Sequence, residues 1–235
     1  MIIAGLQKTT LIDYPGKLAC IIFLAGCNFR CPWCYSSELV LPEKIAKQTR
    51  FSEKEIFDFL KERQGLLDVV VLCGGEPTIN KDLPEFIKKI KKLGYSIKLD
   101  SNGSNPKMLK YLIDKKLIDY VAMDIKTSVD SKFYKDVLFN GVKIESIKKS
   151  VDILKQGKVD FEFRTTVVNG VHAKEDFIKI AKWIGSSETK YYLQNFVALK
   201  TIDPDFESVK PYPNVWLQEV VKKISPYFKI CQFRG

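Results

Sequence analysis

The sequence predicts an α/β protein in which six βα units curl into an incomplete barrel with the functional site at its mouth. Three observations lead there. The 235 residues are 46% hydrophobic and 12% aromatic, enough for one substantial core, and no linker, low-complexity run or repeat invites a cut, so residues 1–235 are expected to form a single domain. Short β-rich runs alternate with amphipathic helical stretches, the pattern of a parallel sheet. Unusual residues mark the C-terminal ends of four successive strands: three cysteines after the first, Gly74-Gly75-Glu76-Pro77 after the second, Asp100-Ser101-Asn102-Gly103 closing the third and Asp124-Ile125-Lys126 closing the fourth. A barrel builds its site from loops on that one face, whereas an open doubly wound sheet gathers ligand at one crevice from fewer strands.

The strands are expected at 19–24, 68–72, 96–100, 120–124, 160–168 and 190–196, each β-rich and bounded by turn residues. Ser52 and Glu55 stand at capping-box spacing ahead of Ile56, Phe59 and Leu60, which announces the first helix. Leu83, Phe86, Ile87, Ile90 and Leu93 keep the 3.6-residue period of the second, with Lys88, Lys89, Lys91 and Lys92 on the remaining turns. Leu109, Leu112 and Ile113 mark the third, and Ile147, Val151 and Leu154 the fourth. Phe177, Ile180, Ala181 and Ile184 mark the fifth, and Leu217, Val220, Val221 and Ile224 the sixth.

The formal charge is +10, with 33 Lys against 5 Arg. Most Lys fall on polar helix faces beside Glu and Asp rather than in an aromatic-interleaved, Arg-rich stripe, which argues against a nucleic-acid surface and for a solvated, heat-adapted exterior. The same basic surface suits docking of an acidic low-potential electron donor such as flavodoxin or ferredoxin. The longest run without a charge or strong polar group, residues 18–27, falls well short of the ~20 residues of a membrane-spanning helix. No cationic start with an apolar stretch and cleavage site marks the chain for export, so it is expected to be cytoplasmic.

Chemistry concentrates in the loop 24–36, where Cys27, Cys31 and Cys34 are spaced by three and two residues. A structural zinc site closes with four protein ligands, and no second cysteine pair exists, so Cys73, His172 or Cys231 would have to be recruited from far away. A [4Fe–4S] cube on three cysteines instead leaves one iron open to a non-protein ligand. Gly74 and Gly75 allow close backbone approach to a ligand, Pro77 sets a turn, and Glu76 can accept from an ammonium group. Asp124 and Lys126 share one face of their strand and read as an internal ion pair, while Arg164, between Phe163 and Thr165, calls for an anion partner. Cys20 and Cys73 read as buried small hydrophobes, Cys231 is a weak candidate for a reactive thiol, and His172 reads as a solvated loop residue.

The cysteine spacing, with Trp33 just before the last thiol, resembles the signature of the radical S-adenosylmethionine (SAM) superfamily. That resemblance implies a partial (β/α)6 TIM-type barrel, a cluster on Cys27, Cys31 and Cys34, and S-adenosyl-L-methionine chelated at the open iron. Reductive cleavage of its C–S bond would yield methionine and a 5′-deoxyadenosyl radical. It further implies that Trp33, Gly74, Gly75, Glu76 and Pro77 belong to the cofactor site, with Glu76 holding the methionine amino group. Asn102 would reach the ribose hydroxyls, and Lys126 and Arg164 the methionine carboxylate. Asp100 and Asp124 would help hold a monovalent cation beside it.

Leu11-Ile12-Asp13-Tyr14-Pro15-Gly16-Lys17, running into Phe23-Leu24-Ala25-Gly26-Cys27, is similar to the activating proteins of anaerobic ribonucleoside-triphosphate reductase. The implied substrate is then a glycine of a partner glycyl-radical enzyme. Tyr35-Ser36 follow Cys34 where those proteins usually have His-Asn, and Gln194-Asn195 stand where some activating enzymes place a histidine. Two other readings stay open: a radical enzyme acting on a small molecule or nucleoside, of the 7-carboxy-7-deazaguanine synthase kind, and a non-catalytic zinc or nucleic-acid-binding module.

Overall fold

The computed structural model describes residues 1–132, 134, 137 and 141–234. Its centre is one eight-stranded sheet whose spatial order follows the chain. The strands are β1 Ile3–Thr10, β2 Ala19–Leu24, β3 Val69–Gly74, β4 Ser96–Ser101, β5 Tyr120–Asp124, β6 Asp160–Val167, β7 Ser186–Asn195 and β8 Phe228–Arg234. β1 runs antiparallel to β2, and every later neighbour pair is parallel. Sequential order with no reversal leaves no switch point, and right-handed crossovers then put every helix on one face. The sheet therefore curls, but β1 and β8 share no ladder and the barrel stays open.

All six expected strands form, with β7 beginning four residues before its expected start. Two were not foreseen. β1 alternates poorly, with a solvated middle, and β8 repeats no motif of the other strands. The helices with bounds among the described residues are α1 Ser37–Val40, α2 Pro42–Ile45, α3 Glu53–Glu62, α4 Leu83–Lys92, α5 Pro106–Asp114, α6 Ile144–Lys155, α7 Lys174–Ile184 and α8 Asn214–Ile224. At α3 both halves of the capping box form: Glu55 N–H donates to Ser52 Oγ at 3.2 Å, and Ser52 N–H to Glu55 Oε2 at 2.7 Å. The α4 lysines stay outside on Glu85, Glu53 and Asp119.

Strand alternation divides the molecule. Cys20, Ile22, Leu24, Val70, Leu72, Ile97, Leu99, Val121 and Met123 face the helices and join their apolar stripes in one continuous core. Ala19, Ile21, Val69 and Val71 line the inner wall at β2 and β3 as a small apolar cluster. From β4 onward the same inner face carries Lys98, Asp100, Tyr120, Asp124, Glu162 and Arg164, in register across three strands. Burying so many charges is tolerable only if they pair. Glu162 does so deep in the lumen: Arg234 forks onto it at 3.0 and 3.1 Å, and Tyr120 donates to it at 2.9 Å. Arg234 also stacks on Tyr192, 3.3 Å from the ring centre, which fastens the outermost strand β8 to β6 and β7. Among the described residues no helix is long and apolar enough to cross a membrane.

Candidate active site at the barrel mouth

The cysteine loop leaves β2 at Leu24 and is clamped to the end of β3 by backbone. Gly75 N–H donates to Leu24 O at 2.8 Å, and Glu76 N–H to Gly26 O at 2.7 Å. Gly74 holds φ +120°, and a Cβ on Gly75 would stand 2.0 Å from Gly26 O. The close approach these glycines permit is thus between two backbone segments, where the sequence suggested approach to a ligand. Phe29, Cys31 and Trp33 are buried, Trp33 against His172 and Phe206. Ile202 N–H and Asp203 N–H, beyond β7, donate to Cys34 O and Pro32 O at 3.0 Å each.

All six cysteines are free thiols. Burial pushes the Cys27 thiol up to about 11 and Cys31 to about 12, against the pull of Lys126, and Cys34 is raised as well. The three are therefore protonated at neutral pH, and a soft metal must displace their protons. Among the described residues no three Cys, His, Asp or Glu side chains are gathered as a single metal ion requires. Two thiolates on one tetrahedral zinc stand roughly 4 Å apart; a cube spreads its thiolates over separate irons and needs no such convergence. Three soft donors on one loop, without a fourth, fit a cluster with an open position.

Glu76 is fully buried and accepts four hydrogen bonds: Thr78 N–H at 3.1 Å, the Thr78 hydroxyl, Ser101 Oγ at 2.9 Å and Asn102 N–H at 2.6 Å. Burial raises its pKa, and these donors pull it only part of the way back. Among the described residues it has no ion pair, so an incoming ammonium group would be its first cation. Asn102 donates to Asn28 Oδ1 at 3.1 Å, and Asn28 donates to Ser104 Oγ at 2.8 Å, tying the cysteine loop to the end of β4.

The charged layer lies beside them. Arg164 Nε donates to Asp124 Oδ1 at 3.1 Å and its Nη2 forms an ion pair with Asp100 Oδ2 at 3.0 Å. Lys126 Nζ bonds Asp124 Oδ2 at 3.0 Å, and Lys98 Nζ stands 3.4 Å from Asp100 Oδ1. The expected ion pair of Asp124 and Lys126 is present, and Arg164 has found its anions on neighbouring strands. Burial would raise the Asp124 pKa, but Lys126 and Arg164 hold it down at about 2. Burial likewise opposes the Lys126 charge, and the ionised Asp124 outweighs it, so Lys126 stays protonated. A cationic group thus sits in the electrostatic reach of the thiols.

A model described as the radical SAM superfamily matches residues 21–184, well over half of the chain. The chain belongs to the radical SAM superfamily. That membership implies a [4Fe–4S] cluster and S-adenosylmethionine, and makes this an enzyme of that class. A relative from Methanocaldococcus jannaschii, named provisionally as a glycyl-radical enzyme activating enzyme, is 35% identical over 96% of this chain and 92% of its own. The 7-carboxy-7-deazaguanine synthase of Aquifex aeolicus is 29% identical over 61% of this chain and 68% of its own. Streptococcus suis SuiB bound to S-adenosylmethionine superposes with a TM-score of 0.66 at 16% identity, covering 92% of this chain. The chain spans about half the length of that structure, 52% of it, and the likeness concerns the fold alone.

Several residues at and below the barrel mouth escaped sequence reasoning. His172 is not solvated: it is buried, accepts from Val168 N–H through Nδ1 at 3.0 Å and donates through Nε2 to Lys126 O at 2.8 Å. Those two bonds fix a neutral tautomer, in line with a pKa lowered by burial. Nothing local to the polar loop 169–174 signals its burial: Val168 is four residues away at the start of the loop, but Lys126 O arrives from beyond β5. Glu162 was detectable, since it alternates with Phe161 and Phe163 on the Arg164 face. Asn195 donates to Tyr212 O at 2.8 Å, while Gln194 lies level with Arg234 on the inner face. Cys20 is buried as expected and Cys73 only partly; Cys231, half-buried against the core, has a thiol pushed up to about 12, the opposite of activation.

Proposed function

We propose that this radical SAM enzyme activates a glycyl-radical enzyme in the cytoplasm, with anaerobic ribonucleoside-triphosphate reductase as its partner. The observation that carries the reading is the 35% identity to the M. jannaschii activating-enzyme relative, spread over nearly the whole of both chains. In the proposal Cys27, Cys31 and Cys34 hold the [4Fe–4S] cluster. When bound, the cluster would supply the one-electron reducing power for opening the C–S bond of S-adenosylmethionine, and the hydrogen atom abstracted would be that of a glycine Cα on the partner enzyme.

The chain's own groups bind and orient. Glu76 receives the methionine ammonium group, and the excess positive charge of Lys126 and Arg164 receives the carboxylate. Asn102 turns its amide to the ribose. Gly74, Gly75 and Pro77 keep the cysteine loop pressed on β3, and buried Trp33 backs it. The burial of Cys31, Glu76 and Asp100 keeps water from the inner side of the site. The +10 charge supports docking of an acidic reductant, flavodoxin or ferredoxin, and reduction should slow as ionic strength rises. Free thiols support a reducing compartment. Superfamily membership sets aside the zinc or nucleic-acid module.

Anaerobic reconstitution with iron and sulfide, followed by reduction with S-adenosylmethionine present, should yield 5′-deoxyadenosine, and Cys31→Ala should abolish it. Adding the reductase should produce a glycine-centred radical by electron paramagnetic resonance. The Aquifex relative supports a second reading, a small purine-like substrate. Turnover of such a molecule, with no radical on any added glycyl-radical enzyme, would favour it.

A further inference from the structure

Asp100 and Asp124 lie on neighbouring strands of the inner wall, where two carboxylates facing one another invite a bound cation. The space between them is already filled. The Arg164 guanidinium reaches across from β6 and meets one oxygen of each, an ion pair at 3.0 Å to Asp100 Oδ2 and a hydrogen bond at 3.1 Å to Asp124 Oδ1. The other two oxygens also face cations: Asp124 Oδ2 meets Lys126 Nζ at 3.0 Å, and Asp100 Oδ1, which accepts no hydrogen bond, faces Lys98 Nζ at 3.4 Å. A metal ion approaching any of the four would meet a fixed positive charge. We propose that the Arg164 guanidinium is a permanent internal cation standing in for a monovalent metal ion between Asp100 and Asp124, so that this enzyme binds S-adenosylmethionine without need of K⁺ or Na⁺.

Counting charge sharpens the case. Lys98, Lys126 and Arg164 outnumber the two aspartates by one, and the nearby Glu162 is committed to Arg234. One methionine carboxylate neutralises that excess. A metal ion added to the same layer would leave one positive charge buried and unmatched, a costly arrangement. Arginine suits the task because it stays charged at any working pH and its planar fork spans two acceptors at once. The inference rests on the proposed role of this layer in binding S-adenosylmethionine.

The test compares KCl, NaCl and choline chloride at equal ionic strength. For the parent protein, the melting temperature and the affinity of the reconstituted enzyme for S-adenosylmethionine, by equilibrium dialysis, should be the same in all three salts. Arg164→Met leaves the carboxylates short of a partner; its melting temperature should be lowest in choline and rise saturably with K⁺ or Na⁺. Arg164→Gln, polar and better able to preserve the fold, should show the same response, with affinity for S-adenosylmethionine down roughly tenfold in choline and partly restored by K⁺. A saturable K⁺ response in the parent would overturn the proposal, as would the absence of any in both variants. A parent that binds no S-adenosylmethionine defeats the proposed site role, while the melting comparison still decides the place of the cation.

Discussion

Glu76→Gln tests the site geometry without any cofactor present. Glu76 Oε1 serves Thr78 N–H, the Thr78 hydroxyl and Ser101 Oγ, while Oε2 serves Asn102 N–H at 2.6 Å. Glutamine has one oxygen, and three donors compete to keep it on the Oε1 side. Its amide NH2 must then point at the Asn102 N–H, donor against donor, inside a fully buried site. The substitution loses a charge-assisted hydrogen bond and strands a buried N–H, together about 2–5 kcal/mol. Removing an otherwise unpaired buried charge returns part of this, so the lower half of the range is expected. At roughly 2–4 °C per kcal/mol for a domain of this size, the melting temperature should fall by about 5–10 °C. Calorimetry on the cluster-free protein reads this directly. The reconstituted variant should also bind S-adenosylmethionine at least tenfold more weakly, since a neutral amide cannot pair an ammonium group. A variant that melts within 1–2 °C of the parent would refute the four-donor geometry. One that melts lower but binds S-adenosylmethionine normally would refute only the ammonium role.

Three further outcomes follow from the same structure. Gly75→Ala places a Cβ 2.0 Å from Gly26 O, so the cysteine loop must lift off β3; we expect a loss of about 3 kcal/mol by urea denaturation and reduced iron uptake. His172→Phe leaves Val168 N–H and Lys126 O without their side-chain partner, at about 2–4 kcal/mol, and should change the emission of Trp33, whose ring lies 6.2 Å away; unchanged emission and stability would count against the bridge. Cys20, Cys31, Cys73 and Cys231 have thiols pushed up to about 12 in the fold by burial. The unfolded chain gives up these protons first, so their contribution is intact below about pH 9 and is lost as pH rises toward 12. Cluster-free protein should therefore unfold steeply in alkali, and Cys20→Ala should lower that slope by about one proton.

What the sequence revealed and what it hid divide along a physical line. Helix periods, the capping box of Ser52 and Glu55, and strand parity are local, and each is legible because its cause lies within a few residues. Parity alone puts Asp100, Asp124, Glu162 and Arg164 on the inner wall. Which of them meet is a matter of register between strands distant in sequence, and that long-range choice assigns Arg164 to two aspartates rather than to an empty anion site. The same holds for His172, whose Nε2 partner Lys126 O comes from beyond β5, and for Glu76, whose donors are split between its own turn and the end of β4. The motifs were readable as positions of chemistry, but the division of labour within them was not. Gly74 and Gly75 illustrate the consequence. A glycine pair beside a ligand site suggests room for the ligand, whereas the structure puts the cysteine loop's backbone against them. The requirement for glycine there is a requirement of the fold, which in turn fixes where three thiols can stand.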